Sequence, residues 1–167
     1  MTGSLPVIVF ESLHADVVPP SRATRGAAGN DLCANLRGHA VKVSRDGAAT
    51  ERAPGADGAI TLEPGEVALV PLGFRARLPE GFEAQIRIRS SAAFKKGLTL
   101  PNAPGTIDAD YPDEWLVMVR NSGSRAARIE HGERIAQAVL ARYEIGEWRA
   151  GRVERSTDRT GGLGSTG

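Results

Sequence analysis

Asp108 lies shortly after a Pro-Gly turn, in the segment from Asn102 to Tyr111. A Pro-Gly turn between two short apolar runs predicts a hairpin whose backbone donors and acceptors could bind the edge of a flat heterocycle. A carboxylate beside such a turn can serve as a general base. On a regular strand Asp108 and Asp110 would share one face, with Tyr111 on the other, so the spacing leaves open which carboxylate acts. An ordinary turn without function also explains the segment.

A second segment, from Arg87 to Gly97, combines Arg89 and two serines with a helix-like pattern. A serine at the start of a short helix can cap its free N–H groups, and a helix N-terminus beside Arg89 would make an anion site. The alternative is an ordinary cap followed by solvated lysines. An isolated match of this kind is more typical of that alternative.

The chain ends in a glycine-rich segment that holds Arg159, Ser165 and Thr166. Backbone N–H groups and hydroxyls in such a segment can converge on a phosphate, and an arginine adds a bidentate cation. A disordered polar terminus has the same composition. The segment by itself therefore leaves both interpretations open.

Length and composition restrict the class of protein. A chain of 167 residues fits one domain. Its 21 basic and 20 acidic residues leave a net charge of +1, so no general field favours a nucleic acid or a membrane surface as partner. The single cysteine, Cys33, excludes an internal disulfide and a thiolate zinc cluster, and it fits a reducing, cytoplasmic compartment. The three histidines lack metal-ligand spacing, and the apolar runs are too short for a membrane span.

Short strands are predicted to carry these residues. Twenty glycines and ten prolines separate small apolar runs, which predicts an all-β antiparallel sandwich, jelly roll or barrel. Aromatic residues are only 5% of the chain, which limits what one subunit can bury and favours oligomerisation. One short helix is expected at Ser90–Lys96. The predicted strands cover residues 6–11, 31–35, 59–62, 67–72, 74–78, 82–89, 98–100, 116–121 and 134–143.

Two segments are predicted to be mobile. Residues 37–58 are polar and glycine-rich without a sustained period, and we expect a surface insertion there. Residues 154–167 form the glycine-rich end. The expected organisation is thus one β domain over residues 1–153, followed by a flexible arm over residues 154–167.

Five segments taken in order resemble the conserved motifs of the trimeric dUTP nucleotidohydrolases (dUTPases). They are Ala28-Gly29-Asn30-Asp31-Leu32, Arg89-Ser90-Ser91, Asn102 through Tyr111, Gly132-Glu133-Arg134-Ile135-Ala136-Gln137, and the glycine-rich end. The resemblance implies an antiparallel jelly-roll or distorted β-barrel subunit with one short helix, assembled as a homotrimer with active sites at subunit boundaries. It also implies Mg²⁺-dependent hydrolysis of dUTP to dUMP and pyrophosphate.

The resemblance assigns roles to individual residues. Asp108 would be the base that deprotonates the attacking water, Tyr111 would pack on the deoxyribose, and Asp31 would support Mg²⁺ through a coordinated water. Residues that would bind the uracil are Asn102, Gly105, Thr106 and Ile107. Residues from a second subunit that would hold the phosphates or position substrate and water are Arg89, Ser90, Ser91 and Gln137. Residues from a third subunit that would close over the nucleotide are Arg159, Leu163, Ser165 and Thr166. For Asn30, Glu133 and Arg134 a structural role is preferred.

The chain departs from the family pattern at three places. Leu163 stands where the family usually has an aromatic ring that stacks on the base, which predicts weaker closure. The same motif is one residue short, so Arg155 is an alternative to Arg159. Pro112-Asp113 replaces the frequent Arg-Gly after Tyr111.

Two other functions compete with dUTP hydrolysis. The related dCTP deaminases share the fold but need a catalytic glutamate ten residues beyond the aspartate, where this chain has Met118, a side chain that cannot shuttle protons. A non-catalytic, regulatory β trimer that binds nucleotides would be expected to lack the base or the phosphate-binding groups, and Asp108, Arg89 and Gln137 are present.

Overall fold

The computed structural model describes residues 5–158, in which short antiparallel strands dominate. The strands are β1 (Val9–Ser12), β2 (Asn30–Cys33), β3 (Val41–Arg45), β4 (Ala48–Arg52), β5 (Ala59–Leu62), β6 (Val67–Pro71), β7 (Phe74–Arg77), β8 (Phe82–Ile88), β9 (Leu98–Thr99), β10 (Gly105–Ile107), β11 (Leu116–Asn121), β12 (Ala127–Glu130) and β13 (Arg134–Arg142). The one helix of this part of the chain is α1 (Ser90–Lys96). The predicted all-β class with a single short helix is confirmed.

Two main sheets enclose the core. One has the strand order β4-β3-β6-β11-β9, the other has the order β10-β8-β13-β2, and two-stranded pairs β1-β7 and β12-β5 flank them. Aliphatic side chains that alternate inward fill the space between them, among them Leu32, Val70, Ile86 and Ile135. Phe74 packs between Phe10 and Trp115, so a small aromatic cluster anchors β1 and β7 to the core.

Residues 37–58 correct the sequence prediction, because they contain the hairpin β3-β4 and not an irregular segment. β3 also pairs with β6, and Val41 and Val43 are buried in the core. The turn between the strands is Asp46-Gly47, and both residues have positive φ. An Asp-Gly pair between alternating residues is a strong hairpin signal, and it was present in the sequence.

The turn before Asp108 also differs from the prediction. β9 and β10 do not form a hairpin with each other: β9 pairs with β11, whereas β10 pairs with β8. Residues 100–104, with a cis peptide bond between Ala103 and Pro104, therefore connect the two main sheets. As a result, the two sheets approach each other beside Gly105.

In the described residues no helix has the length and apolar character needed to cross a bilayer.

Candidate active site

Arg89 lies at the end of β8, where the chain enters α1. It is the N-cap residue, with extended backbone angles, and Ser90 is the first residue of the helix. Within the described chain no side chain caps the helix, so the serine cap expected from the sequence does not form. The hydroxyls of Ser90 and Ser91 are consequently not used as caps for the first turn.

Asp31 on β2 holds the Arg89 guanidinium in place. The Arg89 Nε lies 3.1 Å from Oδ1 of Asp31, and the Nη1 of Arg134 lies 3.2 Å from Oδ2. Arg89 also donates from Nη1 to the backbone oxygen of Arg134 at 3.3 Å. The Asp31 side chain is only 13% exposed, so both ion pairs are shielded from water on the carboxylate side.

Gln137 occupies the centre of the same sheet. In the register of β13 it lies opposite Asp31 on β2 and opposite Arg87 on β8. A Cβ atom at Gly29 would overlap the Gln137 carboxamide, so a glycine at this position accommodates the glutamine. Strand pairing thus brings Asp31, Gln137 and Arg89 together. We call these three residues, together with Ser90 and Ser91, the cation cluster.

A small recess lies where the two sheets meet beside β10. Its volume is about 40 Å³. The residues around it are Ile86, Leu100, Asn102, Gly105, Thr106, Ile107, Leu116 and Met118. Among residues 5–158, β10 is the outer strand of its sheet, so its edge carries backbone N–H and C=O groups that no described strand pairs with. All four residues predicted to bind a base surround this recess, which we call the base recess.

Asp108 follows β10 and lines a much larger groove, of about 1190 Å³, with Asp110 and Tyr111. β10 ends at Ile107, so the strand alternation that was expected to place Tyr111 opposite the two carboxylates does not apply. The Tyr111 ring packs against the core, and its hydroxyl donates to the backbone oxygen of Glu114 at 3.3 Å. Asp108 is exposed and faces the open groove, where a substrate or water can reach it.

The groove has an ion pair on its wall. Arg75 on β7 donates from Nε and Nη2 to the carboxylate of Glu11 on β1, at 2.8 Å and 3.0 Å. This contact lowers the pKa of Glu11, so the side chain is an anion at neutral pH and a poor proton donor. Glu11 is thereby committed to Arg75, and Asp108 and Asp110 are the carboxylates that lie beside Tyr111 in this groove.

Within one chain Asp108 and Arg89 lie at opposite ends of β8. Ile107 pairs with Ala84, and Asp108 continues away from Arg89 because β10 is antiparallel to β8. The five residue steps from Ala84 to Arg89 correspond to about 16 Å of strand. Within a subunit, Asp108 therefore lies close to the base recess. The cation cluster lies at the other end of β8, away from both.

Cys33 lies next to the cation cluster and is buried. Burial is the main cause that raises the pKa of its thiol, and the nearby Asp31 carboxylate adds to the effect. The thiol is therefore protonated at neutral pH, which argues against a nucleophilic role.

Comparison with known proteins decides the family. A sequence model described as dUTPase matches residues 56–167. The chain belongs to the dUTPase family. Among its curated relatives, the deoxyuridine 5'-triphosphate nucleotidohydrolase of Roseobacter denitrificans is 42% identical over 165 residues, covering 98% of this chain and 96% of the relative. The enzyme of the same name from Desulfotalea psychrophila is 42% identical over 149 residues, covering 89% of this chain and 86% of the relative.

Solved dUTPase structures share the fold. A dUTPase from Streptococcus mutans matches with a TM-score of 0.61 and 29% identity, over 84% of this chain and 99% of that one. The dUTPase of Staphylococcus bacteriophage 80alpha matches with a TM-score of 0.74 over 96% of this chain and 98% of that one. At 22% identity the latter supports the fold alone. The jelly-roll fold expected from the family resemblance is confirmed.

The predicted site and the described site differ in two groups of residues. Arg159, Leu163, Ser165 and Thr166 lie beyond the described residues. Conversely, the sequence reasoning did not assign Ile86, Leu100, Leu116 and Met118 to a site, although they line the base recess. The alternation of buried and exposed residues in β11 would have placed Leu116 and Met118 on one face, but only the meeting of the two sheets makes that face part of the recess.

Proposed function

We propose that the chain hydrolyses dUTP to dUMP and pyrophosphate, which limits uracil in DNA and supplies dUMP for thymidylate synthesis. Family membership and relatives named for this reaction support the proposal. The observation that carries it is the combination of a base recess, an exposed carboxylate beside it, and a separate cluster of cations and hydroxyls. The base, the sugar and the phosphates of a nucleoside triphosphate would match these three features in turn.

The base recess suits uracil because an amide side chain and the edge of a strand surround it. Uracil presents two carbonyl acceptors with an N–H donor between them. The edge of β10 offers backbone donors and acceptors from Gly105 to Ile107, and Asn102 adds an amide that can do both. A site built from such groups discriminates against a base with the wrong pattern, because its own polar groups would lose their partners.

Asp108 is the proposed general base. It would accept a proton from the water that attacks the α-phosphate, and it would accept a hydrogen bond from the sugar 3'-hydroxyl. Tyr111, held by the core and by its bond to the Glu114 backbone, would pack against the deoxyribose and leave no room for a 2'-hydroxyl. Ring and carboxylate line the same groove, which supports these two roles.

The cation cluster is the proposed phosphate site. Arg89, fixed by Asp31, would supply charge-assisted hydrogen bonds to phosphate oxygens, and Ser90 and Ser91 would add hydroxyl donors. Gln137 would position substrate or water from the centre of the sheet. Arg159, Leu163, Ser165 and Thr166 would close over the γ-phosphate and the base from the terminal arm, residues 154–167, which follows the β domain of residues 1–153.

Magnesium is the ion that fits these residues. Within residues 5–158 no three His, Cys, Asp or Glu side chains come together to hold a metal, and Mg²⁺ binds to substrate phosphates with few protein carboxylates. Asp31 would hold the ion through a coordinated water, since each carboxylate oxygen contacts one arginine and can accept a further hydrogen bond. When bound, the ion would neutralise phosphate charge. A solved neighbour, the dUTPase of phage phi11, is described with a structural Mg(II) ion.

A homotrimer would bring Asp108 of one subunit to Arg89 of another. The separation of the two along β8 supports such a shared site, because one substrate must contact both. The segment after β13 supports it too: Ile145, Trp148 and Val153 are 86%, 100% and 94% exposed. Val9 in β1 is also exposed, at the wall of the large groove. Burying these apolar side chains against a second copy would be favourable.

The proposed partners are dUTP, its products and two further copies of the chain, with neither nucleic acid nor membrane among them. We also propose a cytoplasmic location, because the substrate is a nucleotide and Cys33 is a free thiol. A dCTP deaminase activity is disfavoured, since Met118 lines the base recess at the position where that reaction needs a glutamate.

The test is an assay of pyrophosphate release with Mg²⁺ across dUTP, dCTP, dTTP and UTP, joined to a mass measurement in solution. We expect selective cleavage of dUTP by a particle of three subunits, and no ammonia from dCTP. The variant Asp108→Ala should lose at least ~10²-fold in rate, which is typical for removal of a general base. An unchanged rate in that variant would refute Asp108 as the base, and a fully active monomer would refute the shared site.

A further inference from the structure

The base recess has a polar side and an apolar side. Asn102 and the edge of β10 form the polar side, whereas Leu100, Leu116 and Met118 form the apolar side, the last two from β11 of the other sheet. A pyrimidine that presents its carbonyl and N–H groups to the polar side turns its remaining ring edge, C5 and C6, towards apolar atoms. The group at C5 is the one that distinguishes thymine from uracil.

Met118 points towards this recess because of the alternation along β11. Val117 and Val119 are buried in the core at 1% and 0% exposure, so the residue between them faces the opposite side of the sheet. Leu116 and Met118, which lie on that side, line the recess together with residues of β10. Met118 is half-buried there, and its thioether side chain is available to touch a bound base.

The polar side of the recess has little room to move. A Cβ atom at Gly105 would lie 3.3 Å from the Ile86 Cβ and 3.4 Å from the Asn102 Nδ2, at or below the short end of ordinary packing contacts. Space for a larger base is therefore more readily made on the apolar side. The recess has a volume of about 40 Å³, so the loss of one or two methyl groups from a wall residue would change that volume substantially.

We propose that Met118 is a specificity-determining residue whose side chain limits the size of the substituent that the base carries at C5. The inference rests on the proposed function, because it takes a deoxyuridine nucleotide as the occupant of the recess. Methionine suits this role because it is unbranched and adaptable, so it can cover a uracil closely and still leave no space for a methyl group.

The experiment uses the full chain and a series of substrates that differ only at C5: dUTP, 5-fluoro-dUTP, 5-bromo-dUTP and dTTP. The value of kcat/KM is measured for each substrate with the wild type, Met118→Ala and Met118→Leu. We expect the wild type to reject the bromo and methyl compounds. Met118→Ala should raise kcat/KM for dTTP relative to dUTP at least ~10-fold, because pockets discriminate single methyl groups by about 10- to 200-fold. Met118→Leu, which conserves volume, should stay close to the wild type.

Arg120→Ala is the matched control, since Arg120 lies on the same face of β11 but outside the recess, and its selectivity should be unchanged. Met118→Val replaces the alanine variant if that variant fails to fold, with a smaller shift in the same direction. An unaltered dTTP-to-dUTP ratio in a folded Met118→Ala or Met118→Val protein would overturn the proposal. Failure of the wild type to cleave dUTP would instead refute the proposed function, and this inference with it.

Discussion

The Arg89 guanidinium and the Asp31 carboxylate form an ion pair, with Nε 3.1 Å from Oδ1, between the end of β8 and the first half of β2. The strand β13 lies between β8 and β2, so the pair spans the width of three strands. A second arginine, Arg134, contacts the other carboxylate oxygen. The ion pair holds the Arg89 guanidinium in a defined position before any substrate binds.

We therefore predict that Asp31→Asn weakens phosphate binding while preserving the fold. The neutral amide cannot balance two arginines, so Arg89 loses its fixed position, and KM for dUTP should rise by about 10-fold. Steady-state kinetics at saturating Mg²⁺ measure this effect, and a parallel Mg²⁺ titration separates it from a loss of the ion. Arg134→Gln removes only the outer contact and should have a smaller effect. Wild-type kinetics in Asp31→Asn would show that Arg89 needs no such support.

A second prediction concerns sites shared between subunits. Asp108→Ala and Arg89→Ala should each be inactive alone, but trimers reassembled from an equal mixture should regain activity at about one quarter of their sites, assuming random assembly. The regain arises because a boundary can combine the intact Asp108 of one subunit with the intact Arg89 of another. Pyrophosphate release before and after mixing measures it.

The matched control is a mixture of Asp108→Ala with Asp108→Asn, in which no boundary contains the carboxylate. It should stay inactive. If the mixture of Asp108→Ala and Arg89→Ala also stays inactive although mass measurement shows mixed particles, each site would have to lie within one subunit.

A third prediction concerns the glycine-rich end. Truncation after Ser156 should leave the oligomer intact, because the apolar residues Ile145, Trp148 and Val153 all precede the cut. Turnover should fall sharply, because the removed residues include the proposed γ-phosphate contacts and the cover that excludes water. Solution mass and kcat on the same preparation check both halves. Full turnover in the truncated protein would eliminate the arm from the mechanism.

A fourth prediction concerns the pH dependence of stability. Arg52 on β4 donates from Nη1 and Nη2 to the two carboxylate oxygens of Glu66, at 2.9 Å and 2.7 Å, and the Glu63 N–H donates to the same group. Glu66 is buried at 6% exposure, and the Arg52 contact is the main cause that lowers its pKa. A lowered folded-state pKa means that the carboxylate contributes its full stability above its ordinary pKa of 4.5 and loses it as the pH falls below that value.

Glu66→Gln should accordingly lower the free energy of unfolding by about 2–3 kcal/mol at neutral pH, and the difference from wild type should shrink in acid. Denaturant unfolding at equal protein concentration, near pH 7 and well below pH 4.5, tests the sign. Glu11→Gln is the control, because its ion pair with Arg75 is exposed at the surface and should change stability little. If the stability difference between wild type and Glu66→Gln grew in acid, the stabilising role given to the Glu66 carboxylate would be wrong.

Much of the fold was predictable because it depends on local patterns. Strands such as Val67–Pro71 and Leu116–Asn121 alternate between core and surface, and glycine and proline mark where they end. The hairpin of residues 37–58 was missed because polar residues outnumber its two buried valines, although Asp46-Gly47 marked the turn. The partners of β9 and β10 were not predictable in this way, because the sequence distance between two strands does not say which sheet each one joins.

The amino-acid sequence alone establishes the chemistry available to this protein: the family motifs, the carboxylate at Asp108, the arginine and serines at 89–91 and the glycine-rich end. It could do so because the type of a side chain, and its neighbours along the chain, define what it can donate or accept. Which of these residues share a site depends on how the strands pack in three dimensions. The joining of β10 to β8, and of β9 to β11, is a long-range packing outcome that makes Met118 part of the base recess and keeps Asp108 away from Arg89 within one subunit.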